Sequence, residues 1–199
     1  NNETNSTQPD KVIIILNESL IDISQATNVE LSEDPMPDIR ADIIGNLFTT
    51  SYAGGTANVE YEALTGFSMN AITNVAVPYT SLYRQIPSLP HYFKSINYET
   101  IAIHTYYSTW YRREDVYSLL GFDDFISSED MTEPERKVYI SDAEMARQII
   151  SATDNNDSQF VFAITMQNHS PYDNKYKGAQ LDIESYCSSL SDEDNDTLA

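Results

Sequence analysis

The chain has 199 residues, with 31 acidic against 11 basic side chains and a formal net charge of −20. That balance, with no basic stripe anywhere, argues against nucleic acid as a partner and against docking on an anionic membrane through a basic face. Hydrophobic residues make up 41%, enough for a packed core in one large α/β domain or part of a bigger one, and the lone Cys187 excludes an internal disulfide and a cysteine-based zinc site.

Residues 1–10 are polar and read as a linker. Lys11 to Leu16 is a continuous β-branched run, the signature of a parallel, central strand buried on both faces. Its apolar part, Val12 to Leu16, is the longest such run in the chain and far short of the ~18 residues a membrane span needs. Residues 30–41, rich in Asp, Glu and Pro, read as loop with a short helix, and Ile43 to Tyr52 as a strand or extended segment. A short helix is expected over Thr56 to Leu64, irregular chain over Asn70 to Ser81, and a helix over Tyr83 to Ser95 interrupted near Pro87 and Pro90. Tyr98 to His104 is a second strand, followed by a helix from Arg113 to Leu120 that Gly121 stops. Ser141 caps a helix that reaches about Ala152, with Glu144 completing a capping box. Gln159 to Met166 is a third buried strand. Strands alternating with helices at this spacing predict a layered α/β fold with a mostly parallel sheet flanked by helices.

Three of these strands end in a potential ligand: Glu18, His104 and His169. In an open α/β sheet such residues gather at the carboxyl edge, where ligands bind. Gly54-Gly55-Thr56 leads into a helix. A glycine pair permits positive φ and close backbone approach, and free N–H groups at a helix start favour an anion beside the Thr56 hydroxyl. Thr56 then reads as a hydroxyl nucleophile or as a plain N-cap. Glu18 and Thr56 offer oxygen donors of the kind a hard cation takes. His91 reads as structural or exposed, and Glu60 and Glu62 as residues that decorate or anchor their helix.

Blocks of sequence in order carry a resemblance. They are Ile15-Leu16-Asn17-Glu18-Ser19, the run from Gly54 through Thr56 to Gly66, Ala102-Ile103-His104, the run from Trp110 to Tyr117 with Leu120-Gly121-Phe122-Asp123, and Thr165 to Tyr172. Over residues 11–172 the chain resembles the lipoteichoic acid synthase and phosphoglycerol transferase branch of the sulfatase and alkaline phosphatase superfamily. The resemblance implies that Glu18 binds a divalent metal, usually Mn²⁺, with Mg²⁺ as the alternative. It implies that Thr56 is both metal ligand and nucleophile. Arg113 would contact the substrate phosphate, Tyr111 would line the glycerol pocket, His169 would contact the phosphoglycerol, and His104 would stand near the pocket.

The implied reaction moves glycerol phosphate from a phosphatidylglycerol-type lipid to a polyglycerolphosphate or glycan acceptor through a phosphothreonine ester. The implied place is the extracellular face of a bacterial membrane, reached through upstream helices outside this sequence. Arg112 stands where the family commonly has asparagine, and the family's Gly-Asp-His metal block is not found in these residues. The expectation is therefore that residues 11–199 form the N-terminal portion of a truncated sulfatase-like catalytic domain whose C-terminal part is missing, a piece that is inactive alone. Two rivals follow. One is a catalytically silent binding or scaffold homologue. The other is a sulfatase or phosphoethanolamine-transferase type of enzyme, although Cys187 lacks the proline and arginine of a sulfatase nucleophile motif.

Overall fold

The computed structural model describes residues 8–25, 34–51, 55–69, 77–132, 139–155 and 157–171. The chain divides into two units, one of residues 1–18 with 49–167 and one of residues 19–48 with 168–199. The first unit is built on four parallel strands, β1 (Lys11–Leu16), β2 (Glu99–His104), β3 (Asp124–Ile126) and β4 (Gln159–Ile164), in the order β1-β4-β2-β3. Among the described residues six α-helices accompany the strands: α1 (Pro37–Ala41), α2 (Thr56–Thr65), α3 (Val77–Ser81), α4 (Leu89–Ser95), α5 (Arg113–Leu120) and α6 (Asp142–Thr153). All but α1 belong to the first unit.

Strand periodicity sorts the core into two layers. Ile14, Phe162 and Ala102 pair across the ladders and face one side, where they meet Ala57 and Leu64 of α2, Tyr79 of α3, and Val116, Tyr117 and Leu120 of α5. The next residues in register, Ile101, Ile103, Val161 and Ala163, face the other side and pack on Met145 and Ile149 of α6. Burying a large apolar side chain in either layer contributes about 1.5–3 kcal/mol.

Several expectations are corrected. β1 is parallel but lies at the edge of the four-stranded sheet, and Ile13 and Ile15 are 42% and 48% exposed. Among the described residues the α6 layer covers β2 and β4 but does not reach that face of β1. No strand forms over residues 43–51, where Ile43, Ile44, Leu47 and Phe48 are exposed, and Tyr52 lies outside the described residues. The helix expected from Tyr83 begins at Leu89 instead. Proline fits the first helical turn, so Pro90 is accommodated there, whereas Pro87 stays in the preceding coil. Ser88 caps α4 by accepting from the His91 N–H at 3.3 Å. The same tolerance for proline lets α3 form around Pro78, in a stretch expected to be irregular. β3 was not anticipated; three residues give too short a pattern to read. Ser141 does cap α6, accepting from the Glu144 N–H at 3.1 Å, while the Glu144 carboxylate is drawn to Arg147 and Gln148.

In the second unit Arg40 of α1 holds Asp22 and Asp34, each at 2.6 Å. Among the described residues no helix is long and apolar enough to cross a membrane.

Candidate functional site

Gly55 sits in the left-handed region at φ 83° and is the N-cap of α2. A Cβ at that position would lie 3.3 Å from Ser51 Oγ, so glycine answers both the dihedral and the close approach. Gly54 lies outside the described residues. Because Gly55 is the cap, Thr56 is the first helical residue and the plain N-cap reading of Thr56 fails. Its hydroxyl is turned elsewhere and donates to Glu18 Oε2.

Glu18 follows β1 directly, and its N–H donates to Thr165 Oγ1 at 3.1 Å, just past β4. The Thr165 N–H returns to the Leu16 carbonyl at 3.1 Å. Two neighbouring strand ends thus lock the carboxylate against the start of a helix, at the carboxyl edge of the sheet. Carboxylate and hydroxyl oxygens in contact suit a hard divalent cation. Among the described residues no group of three or more His, Cys, Asp or Glu gathers to complete such a site.

One turn along α2, Glu60 is wholly buried and takes the Arg113 Nη2 at 3.2 Å. The same carboxylate accepts the Tyr117 hydroxyl. Arg113 is 3% exposed, and its guanidinium lies over the rings of Tyr79 and Tyr111 at 5.3 and 5.4 Å. Burial works against its charge, but its neighbours, Glu60 first and then Tyr117 and Tyr79, together outweigh this and raise its pKa above the ordinary arginine value. Burial first, and the Glu60 carboxylate second, also push the Tyr79 and Tyr117 hydroxyls well up, so both stay neutral. Among the described residues, the Nε and Nη1 of Arg113 are buried without a hydrogen-bond partner. Arg112 is half-buried, donates from Nη1 to the Tyr79 carbonyl at 3.2 Å, pairs with Asp115 at 3.3 Å and lies over Tyr83 at 4.8 Å. The helical face predicted for Arg113, Val116, Tyr117 and Leu120 is the buried face of α5.

Tyr111 and Arg112 reach this arrangement through two adjacent left-handed residues, at φ 57° and 56°. Tyr111 stacks on Tyr79 with ring centroids 5.7 Å apart and remains 39% exposed. His104, at the end of β2, is 1% exposed, with Nδ1 at 3.2 Å from the Ile164 carbonyl. Burial and then the Arg113 charge hold its pKa well below the ordinary histidine value. The ring is therefore neutral, and since a carbonyl only accepts, Nδ1 carries the proton. His169 belongs to the second unit, with Nδ1 at 2.7 Å from the Ser170 carbonyl oxygen. His91 is structural, its Nδ1 lying 3.0 Å from Ser88 Oγ and 3.1 Å from the Ile86 carbonyl. Cys187 lies outside the described residues.

Tyr79, Tyr117 and the pairing of Glu60 with Arg113 are what the motif reading missed. The signal existed: Ala57, Glu60 and Leu64 fall at i, i+3 and i+7, so a carboxylate occupies the apolar stripe of α2. Glu60 anchors α2 to α5 as expected of it, and Glu62 is an anchor too, accepting from the Met69 N–H and the Thr50 hydroxyl. A cleft of about 450 Å³ lies between Ser108, α5 and β3, but Glu114, Asp124, Glu129 and Asp130 line it and would repel an anionic substrate.

Comparison with known proteins agrees with this geometry. The model of the sulfatase family matches residues 10–196. A putative cyclic β-1,2-glucan modification protein of Rhizobium meliloti (strain 1021) is 38% identical over 185 residues, which are 91% of this chain and 29% of that protein. The Streptococcus pyogenes phosphoglycerol transferase GacH, solved in complex with sn-glycerol-1-phosphate, is 29% identical with a TM-score of 0.75, over 95% of this chain and 52% of its own. The Listeria monocytogenes lipoteichoic acid synthase LtaP shares the fold at 22% identity and a TM-score of 0.64, over 81% of this chain and 41% of its own. The chain thus spans about half, or less, of the length of these proteins. On its parallel sheet, its threonine-headed helix and these matches, the chain belongs to the sulfatase family, in the branch that holds the lipoteichoic acid synthases and phosphoglycerol transferases.

Proposed function

We propose that this chain carries the nucleophile and a phosphate contact of a phosphoglycerol transferase working at the extracellular face of a bacterial membrane. The donor is a phosphatidylglycerol-type lipid and the acceptor a glycan or polyglycerolphosphate hydroxyl. The similarity to the putative cyclic β-1,2-glucan modification protein of Rhizobium favours the glycan. The observation that carries the reading is the Thr56 hydroxyl held on the Glu18 carboxylate at the head of α2.

Members of this superfamily use divalent metals, and Glu18 and Thr56 are the residues here that would hold one, with further ligands drawn from outside the described residues. When bound, Mn²⁺ or Mg²⁺ lowers the hydroxyl pKa and offsets charge on the phosphoryl oxygens. The hydrogen bond to Glu18 orients the Thr56 oxygen and gives its proton a way out. The Oγ–P bond forms as the bond from phosphorus to the diacylglycerol oxygen breaks, and that oxygen is protonated from solvent. An acceptor hydroxyl then attacks the phosphothreonine ester, and Thr56 regains its proton. The α2 N-terminus and Arg113 stabilise the charge on the phosphoryl oxygens, and Tyr111 offers a half-exposed ring beside them for the glycerol. His104 shapes the pocket as a neutral ring.

The test uses the full-length protein with Mn²⁺ and phosphatidylglycerol. Thr56→Ala is expected to lose turnover by about 10³-fold or more. It should keep its melting temperature, because Gly55 and not Thr56 caps the helix. Mass spectrometry should find glycerol phosphate on Thr56. An adduct on another residue, or an active alanine variant, rejects the reading.

A further inference from the structure

We infer that Glu60 is the positioning residue of the phosphate site, fixing the Arg113 guanidinium so that its remaining N–H groups are presented to an oxyanion. The inference deepens the reading of Arg113 as a phosphate contact and rests on it.

Glu60 is wholly buried, and a carboxylate without compensation there would be strongly disfavoured. It is compensated by Arg113 Nη2 at 3.2 Å and by the Tyr117 hydroxyl. The rival account is that this pair merely joins α2 to α5. Two observations weigh against it. A buried ion pair is a poor stabiliser, since apolar residues of similar volume commonly do as well or better. Moreover, a pair selected for packing would leave its donors satisfied, yet among the described residues Nε and Nη1 of Arg113 are buried with no partner. Tyr79 and Tyr111 lie against the guanidinium, and Glu60 holds one of its three nitrogens. What remains is a restrained cation with two donors unmet, and the complement of such a group is an oxygen-rich anion such as a phosphate. Glu60 also lies four residues after Thr56 on α2, so the element that presents the nucleophile is the one that anchors the arginine.

The experiment is a double-mutant cycle in the full-length protein. Glu60→Gln keeps the size of the side chain and an oxygen for Tyr117, but removes the charge that holds Arg113. Turnover on phosphatidylglycerol and the affinity for sn-glycerol-1-phosphate are both expected to fall by about tenfold or more, because Arg113 loses the group that holds it in place. Arg113→Lys should then cost much less in the Glu60→Gln background than in the wild type, for turnover and for sn-glycerol-1-phosphate binding by calorimetry alike. Unchanged turnover in Glu60→Gln, additive losses, or a loss that tracks the folded fraction measured by circular dichroism would each overturn the assignment. Should Glu60→Gln fold poorly, Glu60→Asp, which keeps the charge but withdraws it by one methylene, takes its place in the same cycle. A wild type that turns over no phosphatidylglycerol rejects the proposed substrate, and the binding cycle then decides Glu60 by itself. A wild type that binds no sn-glycerol-1-phosphate rejects both.

Discussion

Burial decides what the imidazole of His104 can do. A histidine at the end of a strand reads from sequence as a potential ligand near the pocket, but this ring is 1% exposed and tied by Nδ1 to the Ile164 carbonyl. With its pKa held well below the ordinary value by burial and by Arg113, it offers no positive charge at neutral pH. The unfolded chain protonates His104 near pH 6.5 whereas the folded chain does not. Below that pH the unfolded state binds the extra proton, so stability contributed by the neutral ring is lost as pH falls towards the lower folded-state value. Thermal unfolding at pH 7 and pH 5 checks this. His104→Asn, which keeps a donor for the carbonyl and cannot titrate, should lose less stability across that interval than the wild type, and parallel losses would refute the neutral, buried assignment.

Helix ends set the geometry at the scale of elements. Gly121 closes α5 at φ 97°, and a Cβ there would meet His91 Cδ2 of α4 at 2.6 Å. Gly66 closes α2 at φ 72° with nothing within 4 Å of the same position. Alanine at Gly66 therefore faces the left-handed penalty alone, about 1–2 kcal/mol. Alanine at Gly121 meets that penalty and must also displace a ring bonded to Ser88 and Ile86. Gly121→Ala should thus lower the melting temperature clearly more than Gly66→Ala, by a further ~2–4 °C for each extra kcal/mol. Calorimetry of the two variants tests it, and equal losses would mean that α4 yields without resistance.

At the scale of the whole chain, charge matters as much as packing. A net charge of −20 makes the compact state repel itself. Raising salt from 0.01 M to 0.15 M shortens the screening length from about 30 Å to about 8 Å, so the melting temperature should rise over that range. A melting temperature that stays flat would show that local pairs such as Lys94 with Asp123 already neutralise the field.

Legibility in the sequence followed physical strength. Long β-branched runs revealed three strands, and α5 came out with its boundaries and buried face because Arg113, Val116, Tyr117 and Leu120 repeat at helical spacing. That Thr56 and Glu18 would lie together was legible because one heads a helix after the glycine pair and the other stands just past the end of β1. The edge position of β1 was not, since the pattern of Ile13 and Ile15 does not say which neighbours cover them. Nor was the partner of Arg113. An inward arginine demands an anion, but only folding α2 against α5 reveals that Glu60 is already there.

The adjacent left-handed residues Tyr111 and Arg112 have an evolutionary consequence. Each such backbone costs of order 1–3 kcal/mol when the residue is not glycine, and among the described residues no other two neighbours share it. Glycine at either place would relieve the strain, so the mutations that most readily make this protein hardier lie beside its arginines. A glycine at 111, however, would strip the ring from beside Arg113, and one at 112 would release Asp115 and Tyr83. At position 111, selection for robustness and selection for the pocket therefore pull in opposite directions on the same codon.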